Sequence, residues 1–139
     1  MKTTKKIITM LLTLCLLICT VGCAEKYEEY DNFEPACVEI VDNIEGEEYK
    51  TVIDDADYAK KMLDAFKKLN INTQTEGEMG TSYLNLCFYD ENLETKLVFT
   101  IYENGACCLG EDYEDFYTVT NGRQAYIDLC ELYTAYKAD

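Results

Sequence analysis

Apolar and polar positions follow two periods along this chain, and the switches between them mark the elements. Across 36–42, Val38 and Ile40 alternate with Cys37, Glu39 and Val41, the period of two that predicts a strand. A shorter strand is expected at Tyr49–Ile53. The period then changes: Ala59, Met62, Leu63, Phe66 and Leu69 form one stripe at helical spacing. Asp54 is the expected N-cap, with Asp55 and Asp57 in the first turn where negative charge is favoured. Ile53 and Tyr58 occupy the two staple positions flanking that cap, and Lys67 and Lys68 lie in the last turn.

An antiparallel meander follows. Leu84, Leu86 and Phe88 alternate with Tyr83, Asn85, Cys87 and Tyr89, and Leu97, Phe99 and Ile101 alternate with Val98, Thr100 and Tyr102. Asn104-Gly105 predicts a two-residue type I′ loop, because both of its central residues need positive φ. That loop sets Tyr102 opposite Cys107, Ile101 opposite Cys108 and Thr100 opposite Leu109, so that Cys108 joins the apolar face and Cys107 the other. The turn at 90–93 sets Leu84 opposite Phe99 and Leu86 opposite Leu97. A further strand is expected at Phe116–Val119. Asn121 then caps a final helix, with Gln124 as its capping-box partner and Tyr126, Leu129, Cys130, Tyr133 and Tyr136 turned inward.

The order β(β)-α-β-β-β-β-α is an α+β fold: an antiparallel sheet of four to six strands with two helices on one face. Its plan resembles the topology of TATA-box-binding-protein-like folds, an architectural likeness that carries no function.

The N-terminus has a different pattern. Lys2, Lys5 and Lys6 precede an apolar stretch from Ile7 to Val21, too short for a permanent span of about 20 residues and of the length of a signal-peptide core. It closes on Thr20-Val21-Gly22-Cys23, which resembles the bacterial lipobox with Thr20 in place of the usual Leu. That resemblance implies cleavage before Cys23, lipid (diacylglyceryl and palmitate-type acyl chains) on its thiol, and attachment to the extracytoplasmic face of the cell membrane. Two acyl chains suffice for stable anchoring at about 0.8 kcal/mol per buried methylene. The expected organisation is a leader over 1–22, a lipid-anchored acidic tether over 23–35 and a single domain over 36–139.

Charge narrows the partners. The chain carries 12 basic and 27 acidic residues, and loss of the three leader lysines leaves nine basic residues and a net of −18. Such a polyanion is repelled by nucleic acid and by anionic headgroups, so the expected partners are the membrane through Cys23 and a cell-envelope protein or a cationic partner.

Candidate chemistry is sparse. The chain has no histidine, which removes the Ser-His-Asp and Cys-His constellations, so an enzyme is the least expected class. No cofactor and no metal site are expected. A divalent-cation reading rests on Asp54–Asp57 and Glu111–Asp115, neither of which has EF-hand spacing. A redox reading rests on Cys37, Cys87, Cys107, Cys108 and Cys130, of which Cys108 and Cys130 are expected to face the core together. The favoured reading is a binding module on the non-helical sheet face. There Tyr83 is placed opposite Thr100 and diagonal to Tyr102, with Val98 and Leu109 beside them, a set of rigid aromatic anchors.

Phe99-Thr100-Ile101-Tyr102-Glu103-Asn104-Gly105, followed by the tyrosine-bearing helix Tyr126–Tyr133, resembles small lipoproteins of Gram-positive bacteria that carry a domain of unknown function. The resemblance implies an extracytoplasmic lipoprotein and brings no catalytic residues with it.

Overall fold

The computed structural model of the chain describes residues 32–69, 71–74, 78–110 and 115–139, with 71–74 and 115–119 described as backbone alone. The leader, Cys23, the tether as far as residue 31 and the acidic run at 111–114 lie outside the described residues. The folded unit runs from Glu34 to Asp139, two residues ahead of the predicted boundary.

Its elements in chain order are β1 (Cys37–Ile44), β2 (Glu47–Ile53), α1 (Ala56–Lys67), β3 (Ile71–Gln74), β4 (Tyr83–Tyr89), β5 (Thr95–Tyr102), β6 (Ala106–Leu109), β7 (Asp115–Val119) and α2 (Gly122–Ala138). The strands form one sheet in the order β2-β1-β4-β5-β6-β7-β3, and every neighbouring pair is antiparallel. Helix α1 carries the chain from β2 at one edge to β3 at the other, and the β4–β7 meander fills the space between. The α+β class is that read from the sequence, but the sheet has seven strands rather than four to six. The additional strand is β3, four residues long and with Ile71 its one large apolar residue, so no alternation announces it.

Both helices cover one face. Val38, Ile40, Leu84, Leu86, Phe88, Leu97, Phe99 and Ile101 present the apolar side of three paired strands, β1, β4 and β5, each at most 2 % exposed. Burying each such side chain stabilises the fold by about 1.5–3 kcal/mol. Helix α1 lays Ala59, Met62, Leu63 and Phe66 on this surface, with the Phe66 ring 4.7 Å from that of Phe99. Helix α2 buries Gly122, Ala125, Leu129 and Tyr133, and the Tyr133 hydroxyl meets Thr51 Oγ1 of β2 at 2.7 Å. The helices run antiparallel: Asn121 Nδ2 donates to the Lys68 carbonyl at the end of α1, while the Tyr136 ring packs edge-on against Tyr58 near its start.

Four local expectations are corrected. The N-cap of α1 is Asp55, one residue later than expected, its carboxylate accepting from the amides of Asp57 and Tyr58. Ile53 is therefore no staple residue but the buried end of β2, paired with Val38. Asn121 precedes α2 without a side-chain cap bond of its own; its amide serves α1 instead, and Gln124 donates to Asp128 one turn on. The β4–β5 register is shifted by two residues, pairing Leu84 with Ile101 and Leu86 with Phe99, which keeps every side chain on its expected face.

The fourth correction changes faces. The β5–β6 loop has three residues, Glu103-Asn104-Gly105, rather than two. The Gly105 amide closes a turn onto the Tyr102 carbonyl, Gly105 alone of the three takes positive φ at +87°, and Asn104 Oδ1 accepts from the Ala106 amide. This is the type I turn followed by a left-handed residue common in three-residue hairpins. Ile101 consequently faces Cys107, and Phe99 faces Leu109. A one-residue slip exchanges the two faces of a strand, so Cys107 and Leu109 lie on the helix side and Cys108 on the other. The type I′ turn occurs elsewhere, at Glu45 (φ +53°) and Gly46 (φ +93°) between β1 and β2.

The Gly105 turn also meets the start of α2. A Cβ on Gly122 would lie 2.2 Å from the Gly105 carbonyl oxygen and 2.7 Å from its Cα, and one on Gly105 would lie 2.9 Å from the Arg123 nitrogen. Two backbones are in contact, and neither can yield as a flexible side chain does. Gly122→Ala should therefore destabilise the protein by about 3 kcal/mol through overpacking, even though alanine is favoured over glycine in a helix by ~1 kcal/mol. Gly46→Ala, at positive φ but in open space, should cost only about 1 kcal/mol. Urea denaturation of the two variants measures both, and a neutral Gly122→Ala would rule out the backbone contact.

Candidate functional site

Sheet pairing places the predicted tyrosine residues more closely than the sequence implies. Tyr83 is directly opposite Tyr102, rather than opposite Thr100, and the rings meet edge-on with centroids 5.6 Å apart. Val98 shares their face, half-buried and paired with Cys87. Leu109 does not: it sits opposite Phe99 on the helix side, a consequence of the three-residue loop.

Much of this face is closed. Tyr102 is 4 % exposed and Thr100 and Cys108 are fully buried. The segment before β4 crosses Tyr102. A Cβ on Gly80 would lie 3.2 Å from Tyr102 Cβ, the Tyr102 hydroxyl donates to Met79 Sδ at 3.3 Å, and Asn104 Nδ2 donates to the Glu78 carbonyl. Thr81 adds a hydroxyl bond to Glu103. Tyr102 is therefore held beneath a strap, and Asn85 Nδ2 donates to Thr100 Oγ1 below it. Among the described residues, the surface expected to be an open tyrosine platform is closed over Tyr102 and more open toward β1 and β2. There Tyr83 remains half-buried and donates its hydroxyl to Glu48 Oε1 at 2.5 Å.

That direction leads to the sheet edge. β2 is the outermost strand on its side. Ile44 and Glu47 flank the two-residue turn and pair directly; such flanking residues exchange both hydrogen bonds, and the bonding alternates along an antiparallel pair. The main-chain N–H and C=O groups of Glu47, Tyr49 and Thr51 hence point at β1, and those of Glu48, Lys50 and Val52 point outward. Ile44, Tyr49 and Val52 are each just over half exposed, three of the exposed large apolar side chains among the described residues gathered on one hairpin. Lys50 Nζ bonds Glu39 Oε1 at 2.9 Å, and the Tyr49 hydroxyl donates to Glu47 Oε2 at 2.6 Å. An exposed strand edge of this length has the geometry to accept another extended strand through main-chain hydrogen bonds, with side chains selecting the register. Sequence reading missed it because chain topology, not composition, decides which strand is outermost. Glu45-Gly46 was the available signal for the turn.

Titratable groups influence one another in a second place, where Asp42 of β1 is joined by Tyr126, Cys130 and Lys137 along α2. Asp42 is 7 % exposed. Burial raises its carboxyl pKa and the Lys137 ammonium offsets only part of that rise. Burial likewise raises Cys130, which the Tyr126 hydrogen bond partly lowers and Asp42 raises further. Tyr126 is raised by burial and then by Cys130. Cys107, fully buried under the helices, is pushed up to about 12 by burial with a contribution from Cys108, and burial also raises Cys37. The thiolate is the reactive species, so Cys37, Cys107 and Cys130 are poorly suited to redox nucleophiles. The expected meeting of Cys108 with Cys130 is corrected: they are on opposite sides of the sheet, and all five described cysteines are unbridged.

Between the outer surfaces of α1 and α2 runs an open groove of about 600 Å³, floored by Ala65, Ala125, Leu132 and Ala135 and rimmed by Lys61 and Glu131. Among the described residues, its polar lining side chains are all exposed. Among the described residues no cluster of three or more Cys, Asp or Glu side chains is arranged to hold a metal ion.

Set against known proteins, the chain matches no family model, no curated protein and no solved structure. The likenesses to the lipoprotein family and to the TATA-box-binding-protein-like topology therefore rest on sequence pattern alone.

Asp42 offers a test of how the hairpin is held to α2. Its folded pKa lies above the ordinary 3.8, so folding favours the protonated acid, and the ionised form costs stability that grows as pH rises through the carboxylate range. Asp42→Asn should raise the melting temperature at pH 7, with the gain shrinking toward zero below pH 3.8. Thermal melts of both proteins across this range check it, and a loss of stability at pH 7 would contradict a desolvated carboxylate.

Proposed function

We propose that this chain is a non-catalytic protein-interaction module, anchored by lipid on Cys23 to the extracytoplasmic face of the cell membrane. In this reading it is one of the small Gram-positive lipoproteins that its sequence resembles. The address is supported by the basic, apolar and lipobox pattern of residues 1–23. The interaction is supported by one structural observation above others: an edge strand that directs the main chain of Glu48, Lys50 and Val52 outward, on a hairpin that exposes Ile44, Tyr49 and Val52. Through the Tyr83–Glu48 bond this edge continues into the open end of the tyrosine face.

The alternatives have less behind them. A redox role needs an activated thiol, and burial acts in the opposite direction on Cys37, Cys107 and Cys130. A cation site needs converging carboxylates, whereas Asp55 is occupied in capping α1.

Cys23→Ser tests the anchoring half. In cells fed labelled palmitate, the wild-type chain should carry label and fractionate with membranes. The variant should lose the label entirely and keep its leader. Equal labelling of both proteins would exclude lipidation at Cys23.

A further inference from the structure

The edge strand carries a pattern that fits a copy of itself. We propose that two copies of the chain pair antiparallel through β2, about a two-fold axis passing between their Tyr49 residues, giving one continuous sheet across both. This rests on the reading of the chain as an interaction module and names its partner.

The register follows from charge and from which backbone groups face outward. Among the described residues, Glu48, Lys50 and Val52 direct main-chain groups outward from the edge with no strand beyond them, so hydrogen-bonded pairs must form among them. Centring on Lys50 sets lysine against lysine, and centring on Glu48 sets glutamate against glutamate. Like charges directly opposite one another on a sheet are destabilising. Centring on Thr51 brings Glu48 against Asp54. Centring on Tyr49 sets Glu48 of each copy against Lys50 of the other, two opposite-charge pairs at the two hydrogen-bonded positions. Tyr49 then meets Tyr49 at the non-hydrogen-bonded position, where side chains approach most closely. An aromatic pair replaces two rings that are each 53 % exposed in the single chain.

Charged edge strands ordinarily act as guards against such pairing. A guard repels in every register, whereas Glu48-Tyr49-Lys50 is self-complementary in one of them. The net charge, −15 for the full chain and −18 once the three leader lysines are removed, opposes association at long range, but beyond about 8 Å that repulsion is screened at physiological ionic strength. Pairing should consequently strengthen as salt rises from low ionic strength.

Because a two-fold axis brings only the central residue next to itself, a cysteine there reports the register. The full chain carrying Tyr49→Cys, mildly oxidised in isolated membranes, should give a disulfide-linked species of twice the chain mass. Its yield should exceed that of wild type and of Lys50→Cys by about tenfold, since the Lys50 positions of the two copies lie beyond the ~7 Å that a disulfide can bridge. Adding Lys50→Glu should abolish the species, and adding Glu48→Lys to that should restore it, a reversal that misfolding cannot produce. Equal cross-linking at positions 49 and 50, or failure of the charge exchange to restore it, overturns the proposal. A cross-linked species of another mass overturns self-pairing but leaves the module reading standing, and no species above wild type at any position overturns self-pairing outright.

Discussion

The contact between Gly105 and Gly122 is the constraint around which the rest of the structure is arranged. A hairpin turn and the first residue of α2 touch backbone to backbone, closer than any Cβ permits. The contact fixes where α2 starts, and from there the helix direction determines its remaining partners. Asn121 reaches the end of α1, Leu129 enters the core and Tyr133 arrives at Thr51 on the edge strand β2. The same turn has three residues, which sets the β5–β6 register and hence the faces of Cys107, Cys108 and Leu109. One loop thus decides both how the helical layer docks and what the opposite sheet face displays.

This explains which parts of the fold could be read from the sequence. Period decides element type, and period was strong in α1 and in β4, whose alternating residues are alternately buried and half-buried along its whole length. Register depends instead on loop length, and Asn104-Gly105 is compatible with both a two-residue and a three-residue loop. Asn104 prefers the second because its side chain binds Ala106 and Glu78 at once, and the latter contact spans 26 residues of sequence. No local pattern contains it. The N-cap of α1 is ambiguous by one residue for a related reason: Asp54 and Asp55 have the same chemistry, and the extended backbone and two amide bonds that single out Asp55 are visible only in the fold.

The site was legible in part. Tyr83, Tyr102 and Val98 do share a face, because alternation survives a shift of two residues. Its exposure was not legible. The strap that covers Tyr102 runs through Met79 and Gly80, residues with no periodicity, and the edge strand is outermost only because α1 takes the chain away to the opposite edge. Exposure of a strand is a property of topology, and a sequence pattern describes faces rather than edges.

The acidic composition has a structural share that bears on the surface. Asp55 accepts two amides at the start of α1, Asp90 accepts those of Asn92 and Glu94 in the β4–β5 turn, and Glu103 accepts from Thr81 in the strap. Burial raises Asp90, yet the amide bonds and Lys96 outweigh it and hold the carboxyl below its ordinary value; the Thr81 hydroxyl does the same for Glu103. These groups contribute stability above the unfolded carboxylate pKa and lose it as pH falls through the folded one, the reverse of Asp42. Carboxylates that hold turns are already committed to backbone donors. Glu48 differs, bonded to a tyrosine at the sheet edge, and Lys50 is among the few cations beside it. Against a surface where several carboxylates close turns, the alternation Glu48-Tyr49-Lys50 on the outermost strand arranges charge of both signs along an edge.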